Sequence, residues 1–164
     1  MKPYVIVGTV GGLIGIVFKL FLFFTDRFNF NSLAFSNLME LGIVALVPIF
    51  ASVYQFKFDY QLLFWERVRP IIGSSIVSTL WFSIFAYAYF GLINPEFGAH
   101  FVMENEALIH KNAPDPQQFK KMVDFYLNHF QPINQATSAA FGMMFVGMVF
   151  SFISAAISGL IKRS

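Results

Sequence analysis

The chain has no cysteine and few charged residues, and both shortages narrow what it can be. Without cysteine, disulfide scaffolds, thiolate metal sites and cysteine nucleophiles are excluded. Charged residues make up 12% of the 164 positions, whereas an average soluble domain has about 25%. This composition excludes a disordered chain, a nucleic-acid-binding arm and an ordinary soluble enzyme.

What the chain has in excess is apolar surface. Hydrophobic residues account for 57% of the sequence, and phenylalanine alone occurs 23 times. A soluble protein of this size cannot hide that much apolar side chain from water. We therefore predict an integral membrane protein in which the lipid bilayer covers much of the surface.

Four long apolar runs predict four transmembrane helices. Each run exceeds the roughly 18–20 residues that a helix needs to cross about 30 Å of hydrocarbon. We expect a single all-α domain over residues 1–164, an up-down four-helix bundle. Its predicted spans are residues 4–24, 33–54, 70–93 and 137–161. A secretory signal peptide is the alternative for the first run, but it is longer than a usual h-region of about 7–15 residues.

The distribution of lysine and arginine predicts the orientation. One side of the membrane would carry six basic residues and the other four, which favours cytoplasmic termini. The six are Lys2, Lys57, Arg67, Arg69, Lys162 and Arg163, and the four are Arg27, Lys111, Lys120 and Lys121. The loop 55–69 alternates aromatic and charged residues, which is typical of a membrane interface.

The loop 94–135 predicts an amphipathic helical hairpin. Asp115 reads as an N-cap, Pro116 as the first helical residue and Gln118 as part of a capping box. The apolar face of the helix would consist of Phe119, Met122, Val123, Tyr126 and Phe130. A weaker helical pattern covers residues 97–109, and residues 112–114 would separate the two.

Rows of small residues indicate close helix packing. The fourth span carries Gly147, Ser151, Ala155 and Gly159 at four-residue spacing, and the first carries Gly8 and Gly12. Two interpretations stay open. The rows pack helices within the chain, or one of them, the fourth-span row first, docks another membrane protein or a second copy.

Lys19 and Glu40 are the charges that fall deep in the apolar runs. In an up-down arrangement they lie roughly 7 and 10 Å below the outer end of the helices, so an ion pair is geometrically reasonable. Alternatively, Lys19 snorkels to the surface and Glu40 faces a polar crevice. Pro48, in the second span, predicts a kink.

The external loop also holds His100, Glu104, His110 and His129. His100 and Glu104 are four residues apart, a spacing compatible with zinc ligation, but solvated loop residues are the simpler interpretation. We predict no metal site, no cofactor and no catalytic residue.

The segment 87–97, Tyr-Ala-Tyr-Phe-Gly-Leu-Ile-Asn-Pro-Glu-Phe, joins the third span to this loop. Together with the glycine-rich first span and the small-residue last span ending in Lys162-Arg163, it resembles the domain of unknown function 4199 family. These are small four-helix membrane proteins widespread in Bacteroidetes. The resemblance implies an inner-membrane protein without established enzymatic activity, and it suggests a polyprenyl-phosphate glycosyltransferase as a partner. The aromatic loop 55–69 departs from the more polar family pattern.

Three functions are compatible with these features. The first is a non-enzymatic accessory or scaffold subunit of an inner-membrane complex, without nucleic-acid partners. The second is a small dimeric transporter or lipid-handling protein that uses Lys19 and Glu40. The third is a membrane enzyme that uses the histidine and glutamate side chains of the external loop.

Overall fold

The computed structural model describes residues 2–25, 30–56 and 63–161, with backbone alone at 30–37, 55–56 and 160–161. Over these ranges the chain is all-helical, with seven α-helices and no strand. The helices are α1 (Pro3–Phe24), α2 (Phe30–Phe56), α3 (Phe64–Ala88), α4 (Phe97–Glu104), α5 (Glu106–Asn112), α6 (Pro116–His129) and α7 (Pro132–Ile161). The basic residues Arg27, Lys57, Lys162 and Arg163 of the orientation argument lie outside the described residues.

Three helical segments in the described part of the chain are long and apolar enough to cross a membrane. They are Pro3–Phe24, Phe64–Ile93 and Pro132–Gly159. The apolar stretch described in α2, Leu38–Tyr54, is shorter than these three. The segments indicate a membrane protein, as the composition predicted, and a fourth span through α2 stays a prediction.

The third span begins earlier than predicted, so the end of the predicted interfacial loop is wrong. Helix α3 starts at Phe64 and includes Pro70 in its interior. The Glu66 carboxylate accepts a hydrogen bond from the Leu63 amide at 2.9 Å, as the glutamate of a capping box does. This local cap starts the helix before Pro70, where proline merely removes one backbone hydrogen bond.

The last span also begins earlier, at Pro132 rather than residue 137. Proline is favoured at the first helical position because its fixed φ suits the helix and it has no amide hydrogen to leave unpaired. The side chains of Asn134 and Gln135 donate to the backbone oxygens of Asn128 and His129, at 2.7 and 2.9 Å. These bonds satisfy carbonyls at the end of α6, so the two helices are separated by a short turn.

The chain divides into two compact units, residues 1–82 with 139–164, and residues 83–138. In the first unit, α1 and α2 are antiparallel, because Lys19 meets Glu40 while Gly11 meets Val47. Two apolar clusters form the core of this unit. One consists of Ala51, Val68, Ile71 and Ala155, and the other of Val44, Phe82 and Met143.

The second unit contains the predicted helical hairpin. The Asp115 side chain accepts a hydrogen bond from the Gln118 amide at 3.1 Å and caps α6, as predicted. Residues 113–115 separate α5 from α6, so the break lies one residue later than the predicted 112–114. The weaker pattern over 97–109 forms two short helices that meet at Asn105. The Asn105 side chain donates to the Phe101 carbonyl at 2.9 Å, so it ends α4 locally.

Aromatic side chains fill the interior of the second unit. The Phe130 ring lies 4.8 Å from Phe101, 5.0 Å from Phe97 and 6.1 Å from Phe90, measured between centroids. All four rings are buried. Edge-to-face and offset contacts of this kind stabilise beyond the burial of their area. These four aromatic residues are therefore used for packing within the second unit.

Candidate functional site

The two charges that the sequence predicted to lie in the apolar runs are found together. The Lys19 Nζ is 2.8 Å from the Glu40 Oε1, and the two residues are only 7% and 4% exposed. Of the two arrangements that the sequence left open, the structure has the ion pair rather than a snorkelling lysine. Such proximity neutralises both charges where an unpaired one would be costly.

An apolar layer lies one helical turn further into the unit. Gly15 is four residues before Lys19, and the Phe82 ring covers it so closely that a Cβ would overlap the ring. Val44 is four residues after Glu40, is fully buried and packs with Phe82 and Met143. This layer separates the ion pair from the polar side chains deeper in the same unit.

Those deeper polar side chains are hydroxyls. Eight buried serine and threonine residues are among the described side chains: Ser52, Ser74, Ser75, Ser78, Thr79, Ser151, Ser154 and Ser158. Several bond to a carbonyl one turn earlier, as Ser74 does to the Ile71 oxygen at 2.6 Å. The Ser78 and Ser154 hydroxyls have no hydrogen-bond partner within the ranges that the structure describes. A hydroxyl that donates to a carbonyl of its own helix can be buried among apolar side chains without leaving its donor unpaired.

The small-residue row of α7 packs on α3 of the same chain. A Cβ at Gly147 would lie 2.8 Å from the Ser75 Cβ, and the Ser75 and Ser151 hydroxyls are 3.2 Å apart. Ser151 and Ala155 are completely buried. Gly147 and Ser75 bring α3 and α7 into close contact. This is packing within the chain, one of the two interpretations that the sequence left open.

The far end of the same row holds an arginine. A Cβ at Gly159 would lie 2.8 and 2.9 Å from the two terminal nitrogens of Arg67, so the guanidinium lies directly on the glycine. The Arg67 Nε is buried and has no hydrogen-bond partner among the described residues. Only the spacing of Gly159 was visible in the sequence, and nothing there indicated that Arg67 is its neighbour.

The glycines of α1 pack within the first unit as well. Gly8 contacts the Ser74 carbonyl oxygen, and a Cβ at Gly12 would lie 2.6 Å from the Trp81 Cβ. Thr9, between them, accepts a hydrogen bond from the Trp81 indole at 3.4 Å. Small residues on α1 therefore let α3 approach closely.

Two glycines have no such neighbour. A Cβ at Gly42 or Gly142 would meet no atom of the described residues within 4 Å, whereas at each of the other nine glycines it would meet a side chain or backbone atom. Gly142 is flanked on α7 by Phe141 and Phe145, which are 74% and 71% exposed. Sequence reasoning missed both glycines, because neither belongs to a periodic row.

The histidines do not assemble a metal site in the described part of the chain. His100 Nε2 lies 3.6 Å from Glu96 Oε2, in an exposed pair, and no close contact with Glu104 is seen. His129 stacks on the Phe125 ring at 6.0 Å. No group of three or more histidine, cysteine, aspartate or glutamate side chains suited to a metal ion occurs among the described residues.

A comparison with protein-family models returns one match, and it covers nearly the whole chain. The matching family is described as protein of unknown function (DUF4199), over residues 6–158. No curated protein and no solved structure matches the chain significantly.

Proposed function

Since the chain belongs to the DUF4199 family, whose description names no activity, we propose a function from its own contacts. The protein is a non-enzymatic accessory or scaffold subunit that associates with another protein in the inner membrane. The observation that carries this proposal is the pair of glycines, Gly42 and Gly142, for which the described residues of the chain provide no neighbour.

Glycine in a helix interior costs about 1 kcal/mol relative to alanine, so it needs a compensating reason. In membrane helices that reason is usually the close approach of a neighbouring helix. At the other nine glycines, a side chain or backbone atom of the same chain makes this close approach. At Gly42 and Gly142, a helix of another protein or of a second copy makes it.

We further propose that α1, α2, α3 and α7 form an up-down bundle of four spans. Gly8 meets Ser74 and Gly12 meets Trp81, so α1 and α3 run in the same direction. Helix α2 is antiparallel to α1. Val44 of α2 packs near Gly147, and Ala51 packs with Ala155, which makes α7 parallel to α2. With the excess of basic residues counted from the sequence, this arrangement favours cytoplasmic termini.

The contacts of Lys19 and Glu40 favour association over transport. A transporter that uses these residues would have to open the 2.8 Å ion pair and pass a substrate through the apolar layer of Val44, Phe82 and Met143. A closed pair behind a packed layer is better suited to holding α1 on α2. The membrane-enzyme hypothesis also gains no support, because the His100 pair with Glu96 is exposed to solvent.

The test is whether a large side chain at the two glycine positions prevents binding of a partner without destabilising the fold. We expect Gly42→Leu and Gly142→Leu to abolish co-purification or in-membrane cross-linking with the partner, or with a second copy. Ala156→Leu is the matched control, because it adds comparable bulk at another exposed position of α7. A membrane-bound polyprenyl-phosphate glycosyltransferase is the first partner to examine, as the family resemblance implies.

Unchanged cross-linking in both glycine variants would contradict the proposal. Thermal unfolding in mild detergent keeps the result interpretable, since a Cβ at either position meets no atom of the described residues within 4 Å. Both variants should therefore unfold at or above the temperature of the unmodified protein.

A further inference from the structure

The guanidinium of Arg67 lies against the end of α7, in the space that a side chain at position 159 would occupy. A Cβ at Gly159 would lie 2.8 and 2.9 Å from its two terminal nitrogens and 3.2 Å from its Cζ. The carbonyl oxygens of a last helical turn carry partial negative charge, which attracts a cation. Glycine at position 159 permits this arrangement, because any larger residue would displace the guanidinium.

The charge of Arg67 has no counter-charge in the described part of the chain. The ion pairs found there involve other residues, and the neighbouring Glu66 carboxylate accepts a hydrogen bond from the Leu63 amide. The Arg67 Nε is buried and donates to no described atom. Because water does not reach this edge of the guanidinium, its charge is only partly hydrated. It therefore attracts an anion more strongly than a fully exposed cation does.

The lengths of the spans put Arg67 at the level of the lipid headgroups. The span Phe64–Ile93 has 30 residues, which is about 45 Å of helix and exceeds the roughly 30 Å of hydrocarbon. Arg67 belongs to its first turn, and Gly159 is the last residue of the span Pro132–Gly159. Trp65, two residues before Arg67, is 61% exposed, and tryptophan is enriched at membrane interfaces. The anion that every phospholipid bilayer presents at this depth is the phosphate group.

We propose that Arg67, held on Gly159, binds a phosphate group at the membrane surface. A guanidinium is planar, stays charged and presents several N–H donors, which suits the oxygens of a phosphate. The phosphate belongs to a phospholipid headgroup or to a soluble phosphorylated molecule, and the two share this chemistry. The site lies on α3 and α7 and includes neither Gly42 nor Gly142. It is therefore a binding function beyond the proposed partner, and it is tested separately.

Three probes identify the ligand, because each lacks a different part of it. Dioleoyl phosphatidic acid has acyl chains and a phosphate, dioleoylglycerol has the same chains without a phosphate, and inorganic phosphate has no chains. Each is titrated into the full chain in a nonionic detergent, and the rise in unfolding temperature reports binding to the native state. We expect a rise with phosphatidic acid and none with dioleoylglycerol. A further rise with inorganic phosphate assigns the site to a soluble ligand, and no such rise assigns it to a lipid.

Substitutions separate a specific site from a general attraction to basic residues. Arg67→Lys keeps the charge but removes the planar donor group, and Gly159→Ala keeps the arginine but fills the space of its guanidinium. Each should weaken binding of phosphatidic acid about tenfold or more, since a hydrogen bond to a charged group is worth at least about that factor. Arg69→Gln is the matched control and should weaken binding less than either, because it removes a charge from an exposed position of the same helix.

Three results would overturn the proposal. The first is an equal response to phosphatidic acid and dioleoylglycerol, and the second is no response to either phosphate-bearing probe. The third is a change in Arg69→Gln as large as the change in Arg67→Lys and Gly159→Ala. The unfolding temperature of each variant without a probe shows whether it has folded. Arg67→Lys keeps the charge and most of the length of the side chain, so it tests the site even if Gly159→Ala unfolds.

Discussion

The Nζ of Lys19 and the Oε1 of Glu40 lie 2.8 Å apart, on helices that run in opposite directions. The contact fixes both the register and the rotation of α1 against α2, because a charge displaced from its partner would face apolar surroundings. Removing one partner of a buried ion pair is much more costly than replacing both by apolar residues.

The first prediction concerns this pair. Glu40→Gln should destabilise the protein by about 3–5 kcal/mol, because it leaves the Lys19 ammonium buried without its counter-charge. The double replacement Lys19→Met with Glu40→Leu should recover most of that loss. Thermal unfolding of Lys19→Met, Glu40→Leu and the double variant in the same detergent gives the coupling energy. Additive losses would show that the two side chains act independently.

The second prediction concerns the contact between Gly147 and Ser75. Gly147→Ala should destabilise by about 1–3 kcal/mol, since its Cβ would lie 2.8 Å from the Ser75 Cβ. Ser75→Gly introduced alongside should restore part of the loss by making room on α3. Gly142→Ala is the control and should stabilise the protein by about 1 kcal/mol or less. The added Cβ would have no atom of the described residues within 4 Å, and alanine is the better helix former. The order of the three midpoints of thermal unfolding is the measurement.

The third prediction concerns the start of α6. Asp115→Ala should cost about 0.5–2 kcal/mol, because it removes the oxygen that accepts the Gln118 amide hydrogen. Asp115→Ser should retain most of the stability, since serine caps helices about as well. Amide hydrogen exchange over residues 116–119 measures the effect locally. Protection in the alanine variant equal to that of the unmodified protein would contradict the role of the cap.

The fourth prediction concerns the aromatic interior of the second unit. Phe130→Ala should destabilise this unit by about 3–5 kcal/mol, because it leaves a cavity among Phe90, Phe97 and Phe101. Phe125→Ala removes a ring of the same size from an exposed position on α6 and should cost far less. Limited proteolysis between residues 83 and 138 reports the difference. Equal cleavage of the two variants would show that the ring cluster does not hold the hairpin together.

Predictions that needed one stretch of chain alone were accurate where the start signal was recognised. Asp115 and Pro116 start α6 because a cap and a fixed φ act within a few residues. The start of α3 was predicted too late, because the predicted span covered only the apolar run from residue 70, and Glu66, which caps the Leu63 amide, was not recognised as the start signal. That signal is equally local and was present in the sequence.

Contacts between helices were predicted only where charge restricted the choice. Lys19 and Glu40 had few alternatives, so their spacing along the chain was enough to make the pairing reasonable. The row that includes Gly147 and Gly159 was ambiguous, because small residues at four-residue spacing look the same whether the neighbouring helix belongs to the chain or to a partner. Gly42 and Gly142 became informative only because the structure places a neighbouring atom at each of the other nine glycines.

The sequence by itself determined the membrane class, the helical content and the amphipathic hairpin, because hydropathy and capping are properties of single segments. The tertiary structure decided that the α7 row packs on Ser75 and that Arg67 lies on Gly159. The physical reason is that each of these depends on how far a helix is rotated and shifted against its neighbour. Rotation and register are set by the sum of many weak packing contacts, and no single helix carries that information.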